Sequence, residues 1–140
     1  MPTINLSTGK KSVEIVRDGE VAGKIYFSPG DPALLSRIQE VQKKVNDYEI
    51  DITADMDMDT AMAKARAVDQ QFRDWIDYIF DYECSDVIVG KSFSFSTNEG
   101  ESLIEQFLTQ ILPYIEDEIK AEADKTEKRR DKYLGKYKKK

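Results

Sequence analysis

The side chains best suited to chemistry in this sequence are carboxylates. Asp55-x-Asp57-x-Asp59 has the spacing that opens an EF-hand calcium loop, in which alternate oxygen ligands converge on one cation. Counted from Asp55, the sixth residue is Thr60, where the turn needs glycine, and the twelfth is Arg66, where a bidentate glutamate closes the cage. The motif therefore reads as a solvated acidic connector. A second row, Asp69, Asp74, Asp77, Asp81, Glu83 and Asp86, would suit magnesium-assisted phosphoryl transfer if its members converged. Asp74, Asp77 and Asp81 instead follow one helical face, as on a polar surface turned to water, and no glycine-rich phosphate loop accompanies them. The chain has no histidine and a single cysteine, Cys84, which removes imidazole catalysis, Ser-His and Cys-His pairs and His/Cys zinc sites. Cys84 has no base or helix amino terminus to activate it and reads as a packing residue. No catalytic, cofactor or metal residue is expected, and the composition points to binding rather than to an enzyme.

Charge locates the binding candidate. The net is −6, but residues 1–119 hold 11 basic against 23 acidic side chains, net −12, whereas residues 120–140 hold 10 against 4, net +6. The basic end contains Lys128, Arg129, Arg130, Lys132, Tyr133 and Tyr137, the residues expected to meet a partner. Such a hook suits an acidic protein, including the acidic body of a second copy, which would give a salt-sensitive homo-oligomer. A −12 body repels phosphate and argues against nucleic acid. No apolar run approaches membrane-spanning length, and the lone cysteine and the lack of an apolar leader between Met1 and Lys11 fit a reducing compartment.

The elements that would position these residues are an amino-terminal hairpin and about three helices. Ser12 to Phe27 alternates β-favouring residues around Asp18-Gly19. A three-residue loop, Arg17-Asp18-Gly19, sets Ile15 opposite Val21 and gathers Val13, Ile15, Val21, Ile25 and Phe27 on one face. Asp31-Pro32 then reads as a cap and first helical residue, with Leu34, Leu35, Ile38, Val41 and Val45 as its apolar stripe and Asn46 as its stop. A second helix begins near Thr60 and buries Ala61, Ala65, Val68, Phe72, Trp75, Ile76 and Ile79. Val87 to Gly90 forms an apolar corner, and Phe93 and Phe95 sit in a loop or short strand. Asn98 and Glu101, at capping-box spacing, open the third helix, whose stripe runs from Leu103 to Ile119 with a kink expected at Pro113. From Lys120 to Arg130 there is nothing sizeable to bury. The expected organisation is one α+β domain over residues 1–119 and a basic tail over 120–140, helical or disordered. If helical from Asn98 to Tyr133, it would be roughly 50 Å long.

The stretch Asp81-Tyr82-Glu83-Cys84-Ser85-Asp86-Val87-Ile88-Val89-Gly90, followed by Gly100-Glu101-Ser102-Leu103, Phe107-Leu108, Ile111-Leu112-Pro113 and a Lys/Arg/Tyr-rich end, resembles small tail assembly chaperones of long-tailed phages and prophages of Gram-positive bacteria. The resemblance covers roughly the last sixty residues, with the hairpin and first helix in compatible order. Val89 departs from it, since phenylalanine usually precedes that glycine. The resemblance implies a non-enzymatic protein of the host cytoplasm that binds the tape measure protein, helps recruit tail tube subunits and is absent from the finished virion. It also implies a longer frameshifted form, for which an adenine run encoding Lys138-Lys139-Lys140 would serve. The competing reading is a phage-encoded inhibitor or regulator that binds a host protein through its acidic surface.

Overall fold

The computed structural model describes the backbone of residues 1–138 and the side chains of residues 1–135. Strands β1 (Lys11–Arg17) and β2 (Glu20–Phe27) form an antiparallel hairpin, followed by helices α1 (Pro32–Asp47), α2 (Met58–Phe80) and the short α3 (Ser85–Val89). A second, two-residue ribbon pairs β3 (Thr97–Asn98) with β4 (Glu101–Ser102) and leads directly into α4 (Leu103–Lys138). The architecture is α+β, a hairpin packed on helices of which the last is long.

The hairpin closes with the two-residue Asp18-Gly19 turn, not the three-residue loop expected from the apolar pattern. Both turn residues have positive φ, 51° and 79°, as the favoured two-residue hairpin turn requires. Val16 accordingly faces Val21, and both are exposed. The conflict between that turn and a one-sided apolar face is resolved by a bulge. Ile15 pairs with Gly23, so Ala22 is the extra residue, and the register beyond it is shifted by one. Val13, Ile15, Ile25 and Phe27 thereby share the core face while Val21 is released to solvent. Gly23 also lets α3 approach, since a Cβ there would lie 3.1 Å from Val87 Cγ1.

Local sequence chemistry sets the helix starts. Asp31 Oδ1 accepts the Ala33 amide at 2.9 Å with Pro32 in the first turn of α1, and the helix ends one residue beyond Asn46. Helix α2 starts at Met58 because Asp57 accepts the Thr60 amide at 2.7 Å. The capping box of α4 is Ser102 with Glu105, not Asn98 with Glu101. Ser102 Oγ accepts the Glu105 amide at 3.2 Å and donates to Glu105 Oε1 at 3.0 Å. Asn98 and Glu101 are instead a cross-strand pair flanking a Glu99-Gly100 turn whose φ values, 53° and 83°, repeat the chemistry of Asp18-Gly19. The apolar corner at Val87 is helical, and α4 runs through Pro113 as one continuous helix.

Three helices and the hairpin converge on one core. Ile25, Ile38, Ile76, Ile79, Ile104 and Ile115 are fully enclosed. Phe27 is held between Phe80, with ring centroids 5.2 Å apart, and Tyr114, edge-on at 6.2 Å, which locks the hairpin to α2 and α4 together. The register makes opposite predictions for two neighbouring residues. Val21→Thr should change the unfolding free energy by no more than about 0.5 kcal/mol, whereas Ile25→Ala should cost about 2–5 kcal/mol. Urea titrations of the two variants test this, and a large loss at Val21 would restore the three-residue loop.

Candidate interaction surface

The acidic row divides: two of its members turn inward as structural acceptors, and the others face outward. Asp77 is partly buried, and its Oδ1 accepts the amides of Cys84 and Ser85 at 2.9 and 2.8 Å, capping α3. Asp69 accepts the Ser94 amide at 2.6 Å and Arg73 Nε at 2.8 Å. Arg73 continues to Asp86 at 2.6 Å and to the carbonyls of Gly90 and Ser92 at 2.6 and 2.9 Å. One guanidinium thus ties α2 to α3 and to the loop that leads to α4, using the fork of donors that only arginine offers. Arg17 donates to the Val87 carbonyl and lies so close to Gly90 that a Cβ there would meet Nη2 at 2.7 Å. Asp69 and Asp77 are therefore structural acceptors. Only Asp74, Asp81, Glu83 and Asp86 remain on the exposed side.

The Asp55–Asp59 stretch is equally committed. Asp55 accepts the Thr53 hydroxyl, which lowers its carboxyl pKa, and Asp57 is held low by the Thr60 amide it caps. Among the described residues no group of three or more metal-ligating side chains converges. Cys84 is enclosed, and burial first, with the charge and hydrogen bond of Asp77 after it, pushes its thiol from 9.0 up to about 12. A thiol held protonated is a poor nucleophile.

A feature hidden in the sequence is an aromatic shelf. Trp75 is only half-buried. It stacks on Phe72 at 5.4 Å, and Tyr48 packs edge-on against both, at 5.2 Å from Phe72 and 5.8 Å from Trp75. Tyr48 and Trp75 border an open hollow of about 550 Å³ with Glu40, Lys43, Lys44 and Asp47 on its rim. Tyr78 donates to Glu40 at 2.7 Å, raising the phenol and lowering the carboxyl, so α1 and α2 are clamped beside this hollow. Helical spacing assigned Trp75 to the core. Only the tertiary position of Tyr48, just past the end of α1, reveals the rim.

The partner residues expected from the sequence lie on α4. The helix comes close to the body at Gly30, where a Cβ would lie 2.7 Å from Glu122 Cγ. Lys11 Nζ meets Glu118 one turn earlier at 3.0 Å. From Ala123 to Leu134 every residue is exposed, including Lys128, Arg129, Arg130, Lys132 and Tyr133. Among the described residues none of those four bases forms an ion pair; the extension's one such contact is Lys125 with Glu122 at 3.6 Å. The side chain of Tyr137 and the residues Lys139 and Lys140 lie outside the described residues. The helix reaches Lys138, so the segment from Ala123 is about 24 Å long at ~1.5 Å per residue.

Compared with known proteins, the chain matches no family model, no curated protein and no solved structure. No helix among the described residues is long and apolar enough to cross a membrane.

Two measurements check the local chemistry. Arg73→Met removes one partner of a mostly enclosed ion pair and should cost about 3 kcal/mol, read from urea unfolding; a loss below about 0.5 kcal/mol would show that the cluster does not hold the loop. The Cys84 thiol should resist a disulfide reagent at pH 8 until the protein is unfolded. Because the folded state holds that proton more tightly than the unfolded state, the linkage lowers stability as pH rises from about 9 towards 12. Fast native-state labelling at pH 8 would contradict the burial.

Proposed function

We propose that this protein is a non-enzymatic tail assembly chaperone of a long-tailed phage or prophage, one that binds the tape measure protein in the host cytoplasm, helps recruit tail tube subunits and does not remain in the virion. The observation that carries the reading is the exposed end of α4, a helix that leaves an acidic α+β body and on which Lys128, Arg129, Arg130 and Lys132 form no ion pair among the described residues. The likeness of the residues from Asp81 onward to that family supplies the partner. A tape measure protein is long and helical, and its apolar segments need shielding until the tube assembles around it. A charged helix that binds many sites weakly and releases them suits that task, because exposed ion pairs contribute little each and add through repetition.

The inhibitor reading needs a broad, free acidic surface. It is less well supported, because Asp31, Asp57, Asp69 and Asp77 spend their carboxylates on caps and on Arg73.

Co-expression with the tape measure protein of the same phage should keep that protein soluble and yield a co-purifying complex. Reversing Lys128, Arg129, Arg130 and Lys132 to Glu should weaken the complex at least tenfold, about 1.4 kcal/mol, at low salt. Tape measure protein that is equally soluble without this chain would contradict the proposal.

A further inference from the structure

Residues 1–10 belong to no helix or strand and form an arm in which Ile4 and Leu6 are 86% and 91% exposed. The alternation Thr3, Ile4, Asn5, Leu6, Ser7 is that of a half-buried strand, apolar on one side and polar on the other.

The hairpin offers a matching edge. The outer side of β2 is partly occupied, since the Tyr26 amide donates to the Tyr82 hydroxyl at 2.7 Å. Tyr26 therefore points its backbone away from β1, so its partner Ser12 points away from β2, as do Glu14 and Val16 by alternation. Among the described residues those outward groups of β1 have no hydrogen-bond partner. An unpaired edge of this kind is a template for another strand.

We propose that the arm of a second copy of this chain pairs antiparallel with the outer edge of β1, and that the exchange is reciprocal about a twofold axis at Gly9–Lys10. In that register Leu6 faces Val13 and Ile4 faces Ile15, so the arm extends the apolar layer on the core side, where Val13 and Ile15 are only half-buried. Ser7, Asn5 and Thr3 then face Ser12, Glu14 and Val16 and take up their outward hydrogen bonds. Pro2 falls opposite Arg17, whose backbone points to β2, so the missing amide hydrogen of proline is not needed there. A shift of one residue would turn Ile4 and Leu6 to the solvent face.

The occupant is a second copy because the arm's own root points elsewhere. Ser28 Oγ lies 2.8 Å from Thr8 Oγ1, which holds the arm beside the end of β2, away from the free edge of β1. Gly9, at φ 74°, makes this bend, and glycine alone can move to the extended conformation without strain. This inference does not depend on what α4 binds.

The full chain in light scattering coupled to size exclusion should give twice its 16.1 kDa mass at tens of micromolar. Ile4→Asp with Leu6→Asp should raise the dissociation constant at least tenfold while leaving the circular dichroism and urea midpoint of the body unchanged. Ser7→Cys with Ser12→Cys, both exposed and opposite each other in this register, should oxidise to a covalent dimer. A monomer at all concentrations, a dimer unaffected by the arm substitutions, or a crosslink closed within one chain would each overturn the proposal.

Discussion

Helix α4 buries Ile104, Leu108, Ile111 and Ile115 in the shared core, and its apolar stripe ends at Ile119. The rest of the structure depends on this burial. Phe80 of α2 reaches α4 through Phe107 at 5.9 Å, and Phe27 of the hairpin reaches it through Tyr114. A hairpin of two strands is marginal alone, so its stability comes from this shared core. The same constraint ends the body. Beyond the stripe the side chains from Ala123 to Leu134 are exposed, and the helix continues on local propensity and charge.

The two signs of charge do different work. Many acids of the body are local: Asp31 and Asp57 cap the long helices, Asp77 caps the short one, and Asp69 anchors Arg73. Among the described residues no buried side-chain polar atom lacks a partner, so these carboxylates are satisfied within the fold. Among the described residues Lys128, Arg129, Arg130 and Lys132 form no ion pair. Exposed bases without an ion pair contribute little to folding, and in our proposal they meet an external partner.

Periodicity made most of the architecture legible. The stripes at Leu34 to Val45 and Ile104 to Ile115 are buried as spaced, and Asp31-Pro32 starts a helix where cap chemistry says it should. The errors came where two local rules competed. At the first hairpin the turn preference of Asp18-Gly19 and the one-sided apolar pattern both hold, because the bulge at Ala22 absorbs the difference; a rule that admits only regular pairing must sacrifice one of them. At Asn98 the spacing to Glu101 mimics a capping box, while Ser102 and Glu105 satisfy the same pattern one turn later with the preferred hydroxyl. The roles of Asp69, Asp77 and Arg73 were hidden because their partners, at Ser94, Cys84 and Gly90, are fixed only by the tertiary fold. The aromatic shelf was hidden for the same reason. The basic end beyond the stripe was readable from charge as helical or disordered, and the structure makes it helical to Lys138.

Amide hydrogen exchange along α4 tests the central claim most directly, that the helix divides into a buried spine and an exposed arm that we propose meets a partner. In dilute solution, amides from Ile104 to Ile115 should exchange only through global unfolding, while those from Ala123 to Leu134 should exchange orders of magnitude faster and become protected when tape measure protein is added. Uniform protection along α4 in the isolated protein, or an arm whose exchange is unchanged by that partner, would contradict the account.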